Sequence, residues 1–443
     1  MAPQVVDLII EAEWVIPVEP HGVVLEQHAV AVHAGRILDV LPQAAARAKY
    51  QAAQTVSRPG HVLLPGLINI HCHSAMTLMR GIADDLPLMT WLQGHIWPAE
   101  AKFVGADLVR DGCRLAAAEL LRGGVTCVNE MYFFPEVAAA VFSEIGIRAG
   151  IGLTVIEFPT AWASSADEYF EKCLAVYDQI KGNPLLRPAW APHAPYTVSD
   201  ASFERIRMYS DQLDIPVHVH VHETAFEVED AFAKHGERPL SRLRRLGLLN
   251  RNLIAVHMTQ LNDSEIAFCA EAGISVAHCP ESNLKLASGF APIEKMRRAG
   301  INLALGTDGC ASNNDLDLIG EMRTAALLAK AVANDAAALD AASALRMATL
   351  GGARALGLET EIGSIEIGKA ADLTTLRLDQ FDTLPVYNAI SHVVYASNRR
   401  DVSDVWVAGQ RKLDAGMLVD MDTQELALLA RAWGERIRAG LGK

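Results

Sequence analysis

Fifteen histidines are spread along 443 residues, and several stand where an imidazole could hold a metal. His71 and His73 flank Cys72 at the end of the apolar run LLPGLINI, so on a strand both rings point to one side and Cys72 packs on the other. Chance supplies roughly 0.5 such pairs at this histidine content, so the pair gains weight only from its surroundings. A second feature, PVHVHVHET, sets His218, His220 and His222 against Val217, Val219 and Val221, with histidines on one face and valines on the other. A third, INLALGTDG, is an apolar strand that ends in Asp308. Imidazoles and a carboxylate gathered from three strand ends suit Zn²⁺, or Fe²⁺ or Mn²⁺, and leave a position open for water. Water held that way becomes nucleophilic near neutral pH, and its natural targets are electrophilic C=N or C=O carbons.

Such side chains need a scaffold that brings strand ends together. From Leu67 to about Gly357, apolar runs (VTCVNEM, IRAGIGLTVI, LRPAWAPH, LIAVHM, ISVAHC) alternate with Ala/Leu-rich segments such as Asp107 to Arg122 and Ala336 to Ala355. About eight strand–helix repeats over that length predict an α/β fold, a (β/α)₈ TIM barrel whose site lies at the C-terminal ends of the strands. Short strand-like stretches precede it (VDLIIEAEWVIPV, HAVAVHAGRILDVLP) and follow it (GSIEIGKAADLTTLRL, VSDVWVAGQRKL). We therefore expect residues 1–64 and 366–420 to form one small β-sandwich, 65–365 the barrel and 421–443 a C-terminal helix. The Ala-rich run 334–342 also reads as helix.

Composition excludes other classes. Lys and Arg total 39 against 53 Asp and Glu, a net charge of −14 that repels polyphosphate backbones and argues against nucleic acid. No apolar stretch reaches the ~20 residues of a membrane span, and the N-terminus has no basic leader, so a cytoplasmic location is expected. Seven cysteines without a C-x-x-C pair fit buried apolar residues in a reducing compartment.

PGLINIHCHSAMTLMRG, HVHET, VAHCPESNLKLASG, LGTDGCASNND and GSIEIGKAADL resemble, in order and spacing, the amidohydrolase superfamily and its adenosine-type deaminase branch. MTWLQGHIWPAE and APHAPYT look like the nucleoside-holding parts of 5′-methylthioadenosine/S-adenosylhomocysteine deaminases. The resemblance implies one zinc per subunit on His71, His73, His220 and Asp308, with His220 selected because it stands three residues before Glu223. His218, His222 and His278 are then placed behind the ligands or in the pocket. No lysine occurs on the mid-barrel runs IRAGIGLTVI and LRPAWAPH to bridge a second metal. Glu223 and His257, each at the end of an apolar strand, are expected to move protons, with Asp308 as a further acceptor. Glu100, His193 and Trp91 are expected to hold the nucleoside, with Glu100 on the ribose hydroxyls. Arg148 precedes one strand, but Leu153 stands near the place where an arginine for an amino-acid carboxylate is expected. The implied reaction is hydrolytic deamination, with 5′-methylthioadenosine preferred over S-adenosylhomocysteine or adenosine, by a homo-oligomer. Guanine or cytosine deamination, triazine hydrolysis and a catalytically silent assembly role are the alternatives.

Overall fold

The computed structural model describes residues 3–442. Its centre is a sheet of eight parallel strands in sequence order: Leu67–Cys72, Val125–Glu130, Arg148–Val155, Leu186–Pro192, Val217–Val221, Leu253–His257, Ser275–His278 and Asn302–Leu305. In the first, second, third, fifth, sixth and seventh of these every residue is buried, as expected where one face meets helices and the other fills a barrel. The ring closes at the site itself, where the Asp308 amide donates to the His71 carbonyl at 3.1 Å. Gly306 permits that approach, because a Cβ there would stand 2.7 Å from the His71 Cβ.

Amphipathic helices cover the outer face. Ala106–Arg122 buries Leu108, Val109, Ala116, Ala117, Leu120 and Leu121. Ser165, Ser199 and Asn262 cap later helices by accepting from backbone amides three residues on, and Asn262 forms a full capping box with Glu265. After the first strand the chain leaves the barrel and returns through Leu88–Trp91, a π turn at Leu92–Ile96 and Trp97–Phe103. That excursion carries Trp91 and Glu100 to the barrel mouth. The 334–342 run is not helical as a whole: Asn334 turns left-handed (φ 49°) and ends helix Leu318–Ala333. Asp340 then caps the next helix by accepting from the Ser343 amide, so Ala content yields here to two local side-chain turns.

Both chain ends meet in a second eight-stranded sheet, hydrogen-bonded continuously from Arg36–Pro42 to Met417–Leu418. Its join is the antiparallel pairing of Leu373–Arg377 with Tyr50–Pro65, which also runs parallel to Gln4–Val15. Ile10, Val32, Ile37, Leu63, Leu373 and Trp406 form its own core. Arg148 and Asp372 tie it to the barrel through two 3.0 Å hydrogen bonds. Helix Thr423–Leu441 packs on Ala106–Arg122, where Trp433 Nε1 donates to Asp111 at 2.8 Å. Among the described residues no helix is long and apolar enough to cross a membrane.

Candidate active site

His71 lies on the first barrel strand and His73 just beyond it, His220 lies on the fifth, and Asp308 follows the eighth by three residues. The Nε2 atoms of His71 and His220 are 3.1 Å apart, and Asp308 Oδ1 lies 3.2 Å from Nε2 of both His71 and His73. All four donor atoms fall within 4.8 Å of one another. Donors 2.0–2.1 Å from a tetrahedral zinc stand roughly 3.3 Å apart, so the spacing fits a single ion.

The far side of each of these four donors is held. Nδ1 of His73 donates to the Met131 carbonyl, and Nδ1 of His220 to the His193 carbonyl at 2.7 Å, which leaves both Nε2 lone pairs free to ligate. His71 Nδ1 meets His218 Nε2 at 2.9 Å, and Asn129 Nδ2 meets the other side of His218 at 3.1 Å. Ser282 and Ser312 each donate to Asp308 Oδ2 at 2.7 Å, turning Oδ1 toward the histidines. Burial brings His71 down to about 4 and His220 well below its ordinary range, so both are neutral, the form a metal requires. Burial also pulls His73 down, but the Asp308 carboxylate and the Met131 carbonyl outweigh it and bring this ring to about 9. A cation between His73 and Asp308 would replace that interaction.

Glu223 sits two residues past the fifth strand, with Oε2 3.8 Å from His257 Nε2. Burial raises its pKa, opposed by the His257 ring. Its peptide is clamped from both sides: the amide donates to Glu227 Oε2 at 2.7 Å and the carbonyl accepts from Thr259 Oγ1 at 2.7 Å. His257 ends the sixth strand with φ 73° and stacks on His220, ring centroids 5.5 Å apart. Its Nδ1 lies 2.8 Å from Asn283 Oδ1, so in this amide orientation Nδ1 donates and Nε2 faces Glu223. The two flanking histidines separate. His218 supports His71, whereas His222 takes φ 55°, leaves the alternation and accepts from the Leu240 amide behind the strand. His278 is buried off the cavity wall, and burial lowers it to about 3.

A cavity of about 550 Å³ opens over this cluster. Trp91, Glu100 and His193 all reach its wall, beside Glu223, His257 and Asp308. Burial raises the half-buried Glu100 carboxyl to about 7, partly offset by the Tyr132 hydroxyl, which donates to Oε1 at 2.7 Å. Thr197 spends its proton on the Ala194 carbonyl, so His193 Nδ1 donates to it at 2.9 Å and keeps an accepting Nε2. One expectation needs correcting. Leu153 is fully buried away from the cavity, and Ile156 and Phe158 form the wall there instead. Arg148 is committed to Asp372 at the opposite end of its strand. Among the described residues no lysine or arginine lines the cavity. Sequence reasoning missed Tyr132, Glu227, Ser282, Asn283 and Ser312. Tyr132 and Glu227 follow barrel strand ends, and that position was their signal; Ser282, Asn283 and Ser312 lie inside VAHCPESNLKLASG and LGTDGCASNND, where the resemblance to the family was a second one.

Residues 62–412 match the amidohydrolase family. The chain belongs to this family. It is 46% identical over 434 residues to a 5-methylthioadenosine/S-adenosylhomocysteine deaminase of Teredinibacter turnerae, covering 98% of each chain. It is 37% identical over 412 residues to an Aquifex aeolicus protein of the same name, covering 93% of this chain and 94% of that one. Among solved structures, an adenosine deaminase from Xanthomonas campestris with bound zinc superposes with a TM-score of 0.98 at 61% identity, covering 99% of this chain and 100% of the other. This amidohydrolase thus pairs a zinc-type donor set with the barrel its sequence implied.

Proposed function

We propose that this amidohydrolase removes the 6-amino group of an adenine nucleoside bearing a small apolar 5′ substituent. The preferred substrate is 5′-methylthioadenosine, converted to 5′-methylthioinosine and ammonia, with S-adenosylhomocysteine and adenosine as lesser substrates. The observation that carries this reading is one cavity that combines the Glu223–His257 pair, a carboxylate at Glu100 and an apolar wall without a cation. The names borne by its relatives favour the same reaction.

A zinc held by His71, His73, His220 and Asp308 supplies Lewis acidity that lowers the pKa of water. His257 presents its Nε2 toward the reacting centre and orients the attacking oxygen. The buried Glu223 carboxylate takes one proton from the attacking water and carries it to the ring nitrogen beside the amino-bearing carbon. The water oxygen bonds to that carbon, its second proton passes through Asp308 to the amino nitrogen, the carbon–nitrogen bond breaks with its electron pair leaving on nitrogen as ammonia, and the remaining oxygen becomes the ring carbonyl. Glu100 accepts from the ribose hydroxyls, His193 Nε2 accepts from the sugar or purine, and Trp91 closes the wall. Ile156 and Phe158 receive the methylthio group, where a carboxylate would find no partner. The enzyme works as a cytoplasmic homo-oligomer on this reading; all seven cysteines are free and buried, which fits a reducing compartment.

Ammonia release from zinc-loaded protein tests the reading, with methylthioadenosine and adenosine set against adenine, guanine, cytosine and an aminotriazine. Turnover of the nucleosides supports it. Turnover confined to a free base or a triazine contradicts the roles given to Glu100 and His193.

A further inference from the structure

Beyond its last ladder position, the second barrel strand, Val125–Glu130, continues into Met131 and Tyr132, and these two neighbours serve different parts of the cavity. The Met131 carbonyl accepts from His73, at the four-donor cluster. The Tyr132 hydroxyl donates to Glu100 Oε1 at 2.7 Å, and the Tyr132 carbonyl accepts from Thr154 Oγ1 on the next strand at 3.1 Å. Tyr132 is itself buried, so its ring and backbone are both fixed. Glu100 has no such footing. It rides on Trp97–Phe103, outside the barrel, and among the described residues Tyr132 is the one donor to its carboxylate.

A glutamate on a helix has several rotamers, and two vicinal hydroxyls bind well only if both carboxylate oxygens face them. One hydrogen bond from a rigid neighbour selects that orientation in advance. We infer that Tyr132 is a positioning residue for ribose recognition: by fixing Glu100 it makes the enzyme select nucleosides carrying both the 2′ and 3′ hydroxyls. Through Met131 the same segment sets the distance from the sugar acceptor to the four-donor cluster. This inference rests on the ribose-binding role proposed above for Glu100.

The test is kcat/KM for adenosine and for 2′,3′-dideoxyadenosine in the wild type, Tyr132→Phe, Glu100→Gln and the double variant. Tyr132→Phe should reduce the preference for the ribonucleoside about tenfold, the scale of one charge-assisted hydrogen bond. In the Glu100→Gln background the same change should alter the preference less than about twofold. A Tyr132 that merely supports the fold would slow both substrates alike. Equal slowing, or a wild-type preference retained in Tyr132→Phe, overturns the inference while leaving Glu100 in its role. A wild type that does not discriminate overturns both.

Discussion

The preference for ribonucleosides should grow with pH. Burial raises Glu100 to about 7, and only its ionised form offers acceptors to two hydroxyls. The carboxyl is protonated below that value and ionised above it, so ribose recognition is lost as pH falls through 7. With a midpoint of 7, about one-eleventh of the enzyme is ionised at pH 6 and about ten-elevenths at pH 8, a roughly tenfold change. Any pH dependence of the reacting centre acts on both substrates alike. The ratio of kcat/KM for adenosine to that for 2′,3′-dideoxyadenosine therefore isolates Glu100. The fall in purine absorbance gives both rates between pH 6 and 8. The ratio should rise about tenfold across that range, and in Glu100→Gln it should stay flat. A flat wild-type ratio, or a slope that persists in Glu100→Gln, would refute the assignment of ribose binding to this carboxylate.

Other variants probe separate parts of the site. Glu223→Gln keeps the shape and the clamp from Glu227 and Thr259 but cannot pass a proton. Its kcat should drop about 10²- to 10⁴-fold with zinc content unchanged by elemental analysis, and near-normal turnover would remove Glu223 from the chemistry. Replacing both Ser282 and Ser312 by alanine frees Asp308 Oδ2, and zinc affinity measured against a chelator should weaken about 10- to 100-fold. Arg148→Met should leave Asp372 buried without its cation and destabilise the protein by about 3–5 kcal/mol in denaturant melts, without altering substrate preference. A change in preference would instead place Arg148 at the site.

The four clustered donors were legible because each stands at or just beyond the C-terminal end of an apolar strand, where the barrel converges side chains. The same placement brings Glu223 and His257 to the cavity wall. Periodicity failed where the backbone leaves the strand. At His222 a positive φ turns the ring behind the sheet, although its spacing from His220 matches that of His218. Position along the third strand likewise pointed to Leu153, but that side chain faces away, and the alternate residues Thr154, Ile156 and Phe158 reach the wall. Contacts across long sequence separation were invisible: Arg148 lies 224 residues from Asp372, and Tyr132 lies 32 from Glu100. Nothing in the types or spacing of those residues marks them as partners. The outer sheet was readable as a joining of both ends, because each end carries short strands that lack a partner of their own.

The most direct test of the account is a competition between 5′-methylthioadenosine and S-adenosylhomocysteine for the same zinc-loaded enzyme, with both inosine products followed by chromatography. The apolar, cation-free wall predicts that methylthioadenosine is deaminated at least tenfold more efficiently, the scale of one unpaired buried carboxylate. Equal or faster turnover of S-adenosylhomocysteine would contradict it.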